Sequence, residues 1–108
     1  MNLNVETKVD GARAAVVVAG EVDVSNAGTV REAVDELMQN EAIKAIEVDM
    51  ANVPYIDSTG IGVLVGSAHK AHDTDRTFAL VDAQDNVVRI LGMLGVDEVI
   101  TVKASGAN

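Results

Sequence analysis

The chain has 108 residues, of which 48% are hydrophobic, a formal net charge of −9 at pH 7 and no cysteine. This length predicts a single domain over residues 1–108, and the lack of cysteine excludes disulfides, thiol nucleophiles and zinc–thiolate sites. The negative charge argues against nucleic acid and anionic membrane surfaces as partners, because both attract clustered Lys and Arg.

The first residues, Met-Asn-Leu-Asn-Val-Glu, lack the basic and apolar regions of a signal peptide. The longest run of purely apolar side chains, residues 14–19, is far shorter than the ~20 residues that span a bilayer. We therefore expect a cytoplasmic protein without a membrane segment.

The chain opens with the pattern of a β-hairpin. Residues 3–8 alternate between apolar and polar side chains, which predicts a half-exposed strand at the edge of a sheet. The dipeptide Asp10-Gly11 is a turn signal. Residues 13–19 are apolar after Arg13 and rich in valine, which predicts a second strand that is buried on both faces.

A first helix follows, because apolar residues recur at helical spacing: Ala27, Val30, Val34, Leu37 and Met38. Its start stays open at this point. Ser25 or Asn26 could cap it, and Thr29 with Glu32 also matches a capping box.

The remaining elements alternate between strand and helix. Strands are predicted over residues 44–50, 77–82 and 97–103, and a frayed, polar tail over residues 103–108. The second helix is predicted from five residues that recur at helical spacing: Ile61, Leu64, Val65, Ala68 and His72. Those of the third are Val87, Ile90, Leu91 and Leu94, and Gly95 is expected to end that helix at the C′ position.

The predicted order is β-β-α-β-α-β-α-β, which favours an α/β domain with a mainly parallel sheet and right-handed crossover helices. Functional groups of such sheets gather in the loops after the strands' carboxyl ends. Here those loops are residues 20–25 and 52–58. We expect Asp23 and Ser58 to lie at the same edge of the sheet.

Ser58 precedes the second predicted helix, with Asp57 directly before it and Gly60 two residues after it. One interpretation is a helix N-cap, a role worth about 1 kcal/mol. Asp57 could cap equally well, however, and Gly60 and Gly62 would leave the Ser58 hydroxyl open to an approaching protein. The start of a helix also favours an anion such as phosphate.

Two segments resemble the anti-sigma factor antagonist family, which has the STAS fold. They are Gly20-Glu21-Val22-Asp23 before the first helix and Asp57-Ser58-Thr59-Gly60-Ile61-Gly62 at the second. The resemblance covers residues 3–103. Val22 replaces the usual Leu, and Thr59 replaces a common second Ser. Many members carry a C-terminal helix, and no contact of that helix is expected from residues 1–108.

This resemblance implies a partner-switching protein. The unmodified form would bind an anti-sigma factor that is also a serine kinase, which releases sigma factor. The kinase would phosphorylate the motif serine, which maps to Ser58, and binding would end. A metal-dependent serine phosphatase would reverse the modification.

Seven residues are candidates for the partner surface: Asp23, Asp57, Ser58, Thr59, Gly60, Gly62 and Val63. Asp23 matches the acid of the family's loop, and a turn acid at a strand exit is the alternative interpretation. Val63 lies off the apolar stripe of its helix, so we expect it to be exposed and to contribute to docking.

Enzymatic activity is not expected. A nucleophile elbow needs Gly two residues before the serine, where Ile56 stands, and there is no Gly-Lys-Ser/Thr motif. His69 and His72 lie about 16–21 Å along the helix from Ser58. No metal ligands cluster, and no cofactor is expected. A regulatory STAS module of a transporter or lipid-transport complex remains the alternative function.

Overall fold

The computed structural model describes residues 3–104, which form one α/β domain with the predicted order of elements. The strands and helices are β1 (Asn4–Asp10), β2 (Arg13–Ala19), α1 (Ala27–Met38), β3 (Ala45–Asn52), α2 (Ser58–Asp73), β4 (Thr77–Ala83), α3 (Asp85–Met93) and β5 (Thr101–Ala104). Within this part of the chain, no helix is both long enough and apolar enough to cross a membrane.

The five strands lie in the sheet in the order of the sequence, β1-β2-β3-β4-β5. β1 and β2 form the predicted antiparallel hairpin, and the turn contains Gly11 with a φ of 60°. The pairs β2–β3, β3–β4 and β4–β5 are parallel. The predicted mainly parallel sheet is therefore confirmed.

The core lies on one face of this sheet. Val16, Val48 and Leu80 stand side by side in register and are at most 1% exposed. Their neighbours along the strands, such as Val17, are only half-buried. The prediction that β2 is buried on both faces is therefore wrong. Because every parallel connection moves the chain in the same direction across the sheet, right-handed crossovers place the helices on a single face.

Helix α1 has the predicted inward face, with Ala27, Val30, Val34, Leu37 and Met38 all buried. It begins directly after Asn26, so the capping box at Thr29 is wrong. The Asn26 side chain makes no capping hydrogen bond to the helix and instead binds the loop before it.

Helix α2 turns a slightly different face inward than the sequence predicts. Its buried residues include Ile61, Leu64, Ala68 and Ala71, whereas His72 is exposed and Val65 is half-buried. The true inward position follows Ala68 by three residues rather than four. A small alanine there is fully buried against the sheet, a position that the pattern of large apolar residues does not reveal.

The C-terminal region differs most from prediction. Gly95 has a φ of 74° directly after the cap of α3, so its C′ role is confirmed, but Leu94 is exposed rather than inward. A 3₁₀ turn, Val96–Glu98, precedes β5, which is therefore shorter than the predicted strand 97–103. Lys103 belongs to β5, and the rest of the predicted frayed tail beyond residue 104 lies outside the described residues.

Candidate functional site

The loops that leave β2 and β3 lie side by side at the carboxyl ends of the strands, as predicted. An isolated parallel bridge joins Val22 to Ile56. The Val22 N–H donates to the carbonyl of Tyr55 at 3.0 Å, and the Asp57 N–H donates to the carbonyl of Val22 at 3.0 Å. This bridge holds the chain just before Asp23 against the chain just before Ser58.

Asp57 caps helix α2 and also reaches the neighbouring loop. Its Oδ1 accepts a hydrogen bond from the Gly60 N–H at 2.9 Å, and its Oδ2 accepts one from the Val24 N–H at 3.1 Å. The residue has extended backbone angles, as an N-cap requires. One carboxylate therefore fixes the start of α2 and the position of the first loop relative to it.

Ser58 is the first residue of α2 and is exposed. Since Asp57 is the N-cap, the capping interpretation of Ser58 is wrong. The Ser58 hydroxyl makes no hydrogen bond to any atom within residues 3–104. Thr59, the next residue, is exposed as well. Two hydroxyls therefore stand at the positive end of a 16-residue helix, where negative charge is stabilised.

The glycines of α2 differ in what surrounds them. A Cβ atom at Gly60 would lie 2.7 Å from Cγ1 of Ile56 and 2.8 Å from Cγ1 of Val22. Gly60 is buried, so close packing of α2 on the bridge, rather than access to Ser58, explains this glycine. A Cβ at Gly62 or Gly66 would meet nothing within 4 Å. Among the glycines of α2, therefore, Gly62 and Gly66 leave open space at the surface, and Gly60 does not.

Val63 lies in a groove between α1 and α2. The groove has a volume of about 470 Å³ and is lined by Arg31, Asp35, Thr59, Gly62, Val63, Gly66, Ser67 and Lys70. Val63 is half-buried and packs against the core, so the prediction of a freely exposed valine is wrong. The ammonium of Lys70 contacts Asp35 at 3.0 Å across the groove. Thr59 and Gly62 extend the groove toward Ser58.

Asp23 organises its own loop. Its Oδ1 accepts hydrogen bonds from the Ser25 hydroxyl at 2.6 Å and from the Ser25 N–H at 2.9 Å. The bond from the Ser25 hydroxyl, followed by the bond from the Ser25 N–H, lowers the pKa of the Asp23 carboxyl below its ordinary value of 3.8. The carboxyl group is therefore ionised at neutral pH. The turn-acid interpretation thus has structural support, and the half-exposed carboxylate still lies beside the start of α2.

Two apolar residues of this region were not predicted from the sequence. Val24 is 74% exposed in the first loop, and Tyr55 is 46% exposed in the second. Each stands in a loop that leaves a strand's carboxyl end, and Tyr55 is the only tyrosine of the chain. The sequence did contain a signal for them, because each is an apolar residue among the polar residues of a loop. With Asp23 and Ser58 they form a surface that we call the switch face.

The structure offers no metal centre among residues 3–104, where no group of three or more His, Cys, Asp or Glu side chains is placed to hold an ion. His69 and His72 are exposed on α2. They lie 11 and 14 residues after Ser58, which corresponds to about 16–21 Å along a helix. Neither imidazole is placed to accept a proton from the Ser58 hydroxyl.

Comparison with known proteins agrees with this geometry. The chain matches the model of the STAS domain over residues 4–107. An anti-sigma-B factor antagonist of Listeria monocytogenes is 32% identical over 104 residues, which cover 95% of this chain and 90% of that protein.

Two solved structures share the fold. An anti-sigma factor antagonist from Mycobacterium paratuberculosis has a TM-score of 0.83 at 19% identity, covering 94% of this chain and 86% of that one. The Bacillus cell fate determinant SpoIIAA in its phosphorylated form has a TM-score of 0.71 at 15% identity, covering 94% of this chain and 90% of that one.

Proposed function

This chain belongs to the STAS domain family, and on that premise we propose that it is an anti-sigma factor antagonist controlled by phosphorylation of Ser58. The unphosphorylated form binds an anti-sigma factor with serine kinase activity in the cytoplasm, and sigma factor is released. Phosphorylation ends that binding, and a serine phosphatase restores it. The observation that carries the proposal is the exposed Ser58 hydroxyl, which the cap by Asp57 leaves without a structural role.

The position of Ser58 suits a reversible phosphate. A phosphoryl group adds about −1.5 to −2 charges at pH 7. At the first residue of α2 it would face the free N–H groups and positive end of the helix, so the fold tolerates it. SpoIIAA, a protein of this fold, has been solved in a phosphorylated form, which supports the same tolerance here.

The same phosphate would oppose docking. At an interface with a partner the added charge is desolvated, and each 1.4 kcal/mol of lost binding energy is about tenfold in affinity. A penalty of ~3–4 kcal/mol therefore gives several hundredfold weaker binding. The switch acts by charge and bulk at the interface and needs no change of fold.

The alternative, a regulatory module of a transporter or lipid-transport complex, has less support. The alignment with the anti-sigma-B factor antagonist of Listeria monocytogenes covers 90% of the length of that protein. Similarity of that extent favours the signalling function over a module of a larger assembly. A membrane transport complex recovered with the protein as bait would instead support the alternative.

The proposal is tested with three baits: the wild type, Ser58→Ala and Ser58→Asp. We expect wild type and Ser58→Ala to retain a kinase-type anti-sigma factor, identified by mass spectrometry, and Ser58→Asp to lose it. All three should have similar circular dichroism. A Ser58→Asp protein that binds like wild type contradicts the mechanism.

A reaction with the identified kinase then shows which hydroxyl accepts the phosphate. After incubation of the antagonist with the purified kinase and Mg-ATP, phosphopeptide mapping should find phosphate on Ser58 and none on the Ser58→Ala protein. Thr59→Ala is the matched control, because Thr59 is the neighbouring exposed hydroxyl. Phosphate on Thr59 with Ser58 unmodified contradicts the assignment.

A further inference from the structure

Strand β1 presents an open edge. It is the first strand of the sheet, and within residues 3–104 no other strand pairs with its outer side. Of its seven residues only Val5 is half-buried and the other six are exposed, including Val9 at 55%. An edge of this length is a template for pairing with a strand of another chain.

The hairpin determines which backbone groups of β1 face outward. The turn between β1 and β2 has two residues, so its closing pair, Asp10 and Arg13, is hydrogen-bonded. Hydrogen-bonded and non-hydrogen-bonded pairs alternate along an antiparallel ladder. Val5, Thr7 and Val9 therefore direct their N–H and C=O groups away from β2, toward the open edge.

We propose that two copies of this chain associate through their β1 strands, antiparallel about a two-fold axis at Thr7. In this register Thr7 lies opposite Thr7 of the second copy, and Val5 lies opposite Val9. Glu6 lies opposite Lys8, twice per dimer. The edge is thus complementary to itself in charge and in apolar character, as the isologous interface of a two-fold dimer requires.

Neighbouring registers lack this match. An axis at Glu6 would place Lys8 opposite Asn4 and Val5 opposite Thr7. An axis at Lys8 would place Glu6 opposite Asp10, two like charges. The Thr7 register is the one of the three that joins both opposite charges and both valines.

The paired valines would also extend the core across the axis. Val5 and Val9 stand opposite Val18 and Ala14 of β2, and both of these partners are buried on the helix-covered face. Val5 already packs against the core. Pairing would therefore cover the exposed Val9 with Val5 of the second copy and join two five-stranded sheets into one continuous sheet.

The presence of Lys8 on this strand has a competing explanation. A lysine on an edge strand commonly prevents pairing with a strand of another chain. Charge-reversal variants separate the two explanations. Glu6→Lys places lysines opposite each other, and Lys8→Glu places glutamates opposite each other. In the double variant E6K/K8E, a lysine at position 6 again lies opposite a glutamate at position 8 of the second copy, so opposite charges are restored.

Sedimentation velocity of the full chain over a range of concentrations measures the result. We expect the wild type and the double variant to reach twice the chain mass of 11.2 kDa. Each single variant should raise the dissociation constant by about tenfold or more. The two single variants change the net charge in opposite directions. If both weaken the dimer, the cause is the local charge pair between residues 6 and 8 and not repulsion between the net charges of the two copies.

Thr7→Pro provides a test that does not depend on charge, because it removes an outward N–H and no bond to β2. It should be monomeric, with circular dichroism showing that it is folded. A wild type that stays at 11.2 kDa at the highest concentration overturns the proposal, as do single variants that dimerise like wild type. Neither outcome bears on Ser58, which lies in α2.

Discussion

The carboxylate of Asp57 is hydrogen-bonded to the backbone N–H of Val24 at 3.1 Å, across 33 positions of the sequence. The second oxygen of the same carboxylate caps α2 through Gly60. The loop that carries Asp23 is therefore attached to the helix start that carries Ser58. A partner that binds one of these residues meets the other in a defined geometry.

Replacing Asp57 should separate these two functions. Asp57→Ala removes the cap and the bond to Val24, and we expect a loss of about 1–2 kcal/mol in the free energy of unfolding. Asp57→Asn can keep the cap, since Asn is an equally good N-cap, but it loses the second acceptor. It should recover most of the stability. Urea denaturation measures both, and an Asp57→Ala protein as stable as wild type contradicts the capping role.

Gly60 and Gly62 form a matched pair. Gly60→Ala puts a methyl group within 2.8 Å of Ile56 and Val22, and overpacking of this kind costs about 1–3 kcal/mol. Gly62→Ala meets open space and should stabilise the helix by roughly 0.5–1 kcal/mol. Thermal melts of both variants measure this difference in stability. Equal melting temperatures would show that packing does not require Gly60.

The sequence predicts well where periodicity is strong and residues are large, as in α1, whose five apolar positions are all buried. It is less informative where small residues make the contacts. Gly60 was expected to provide access to Ser58, and its packing on Val22 and Ile56 appears only once the two loops are placed together. The half-exposed face of β2 has a similar cause, since its Ala and Val residues do not distinguish one covered face from two.

Asp23 should contribute to partner binding beyond ordering its loop. Asp23→Ala removes the carboxylate and its bonds to Ser25, whereas Ser25→Ala leaves the carboxylate and removes only the hydroxyl bond. We expect Asp23→Ala to weaken binding of the proposed kinase partner, with a melting temperature within a few degrees of wild type. Ser25→Ala should bind nearly as well as wild type. If both variants lose affinity equally, loop order rather than the carboxylate is what the partner requires.

Val24 should act as an apolar anchor of the switch face. Its side chain is 74% exposed although its backbone is held by Asp57, so docking would bury a large apolar area at little cost in ordering the loop. Val24→Ser keeps the backbone bond, and we expect an unchanged melting temperature with kinase affinity reduced about tenfold.

Val99→Ser is the control for Val24, because Val99 is also an exposed valine, at 53%. It precedes β5, so it lies at the amino end of a parallel strand, whereas Val24 follows the carboxyl end of β2. The switch face and Val99 are therefore at opposite ends of the sheet. Calorimetric titration with the purified kinase should show a loss of affinity for Val24→Ser alone. Equal losses for both variants would mean that general surface hydrophobicity, and not the switch face, drives the association.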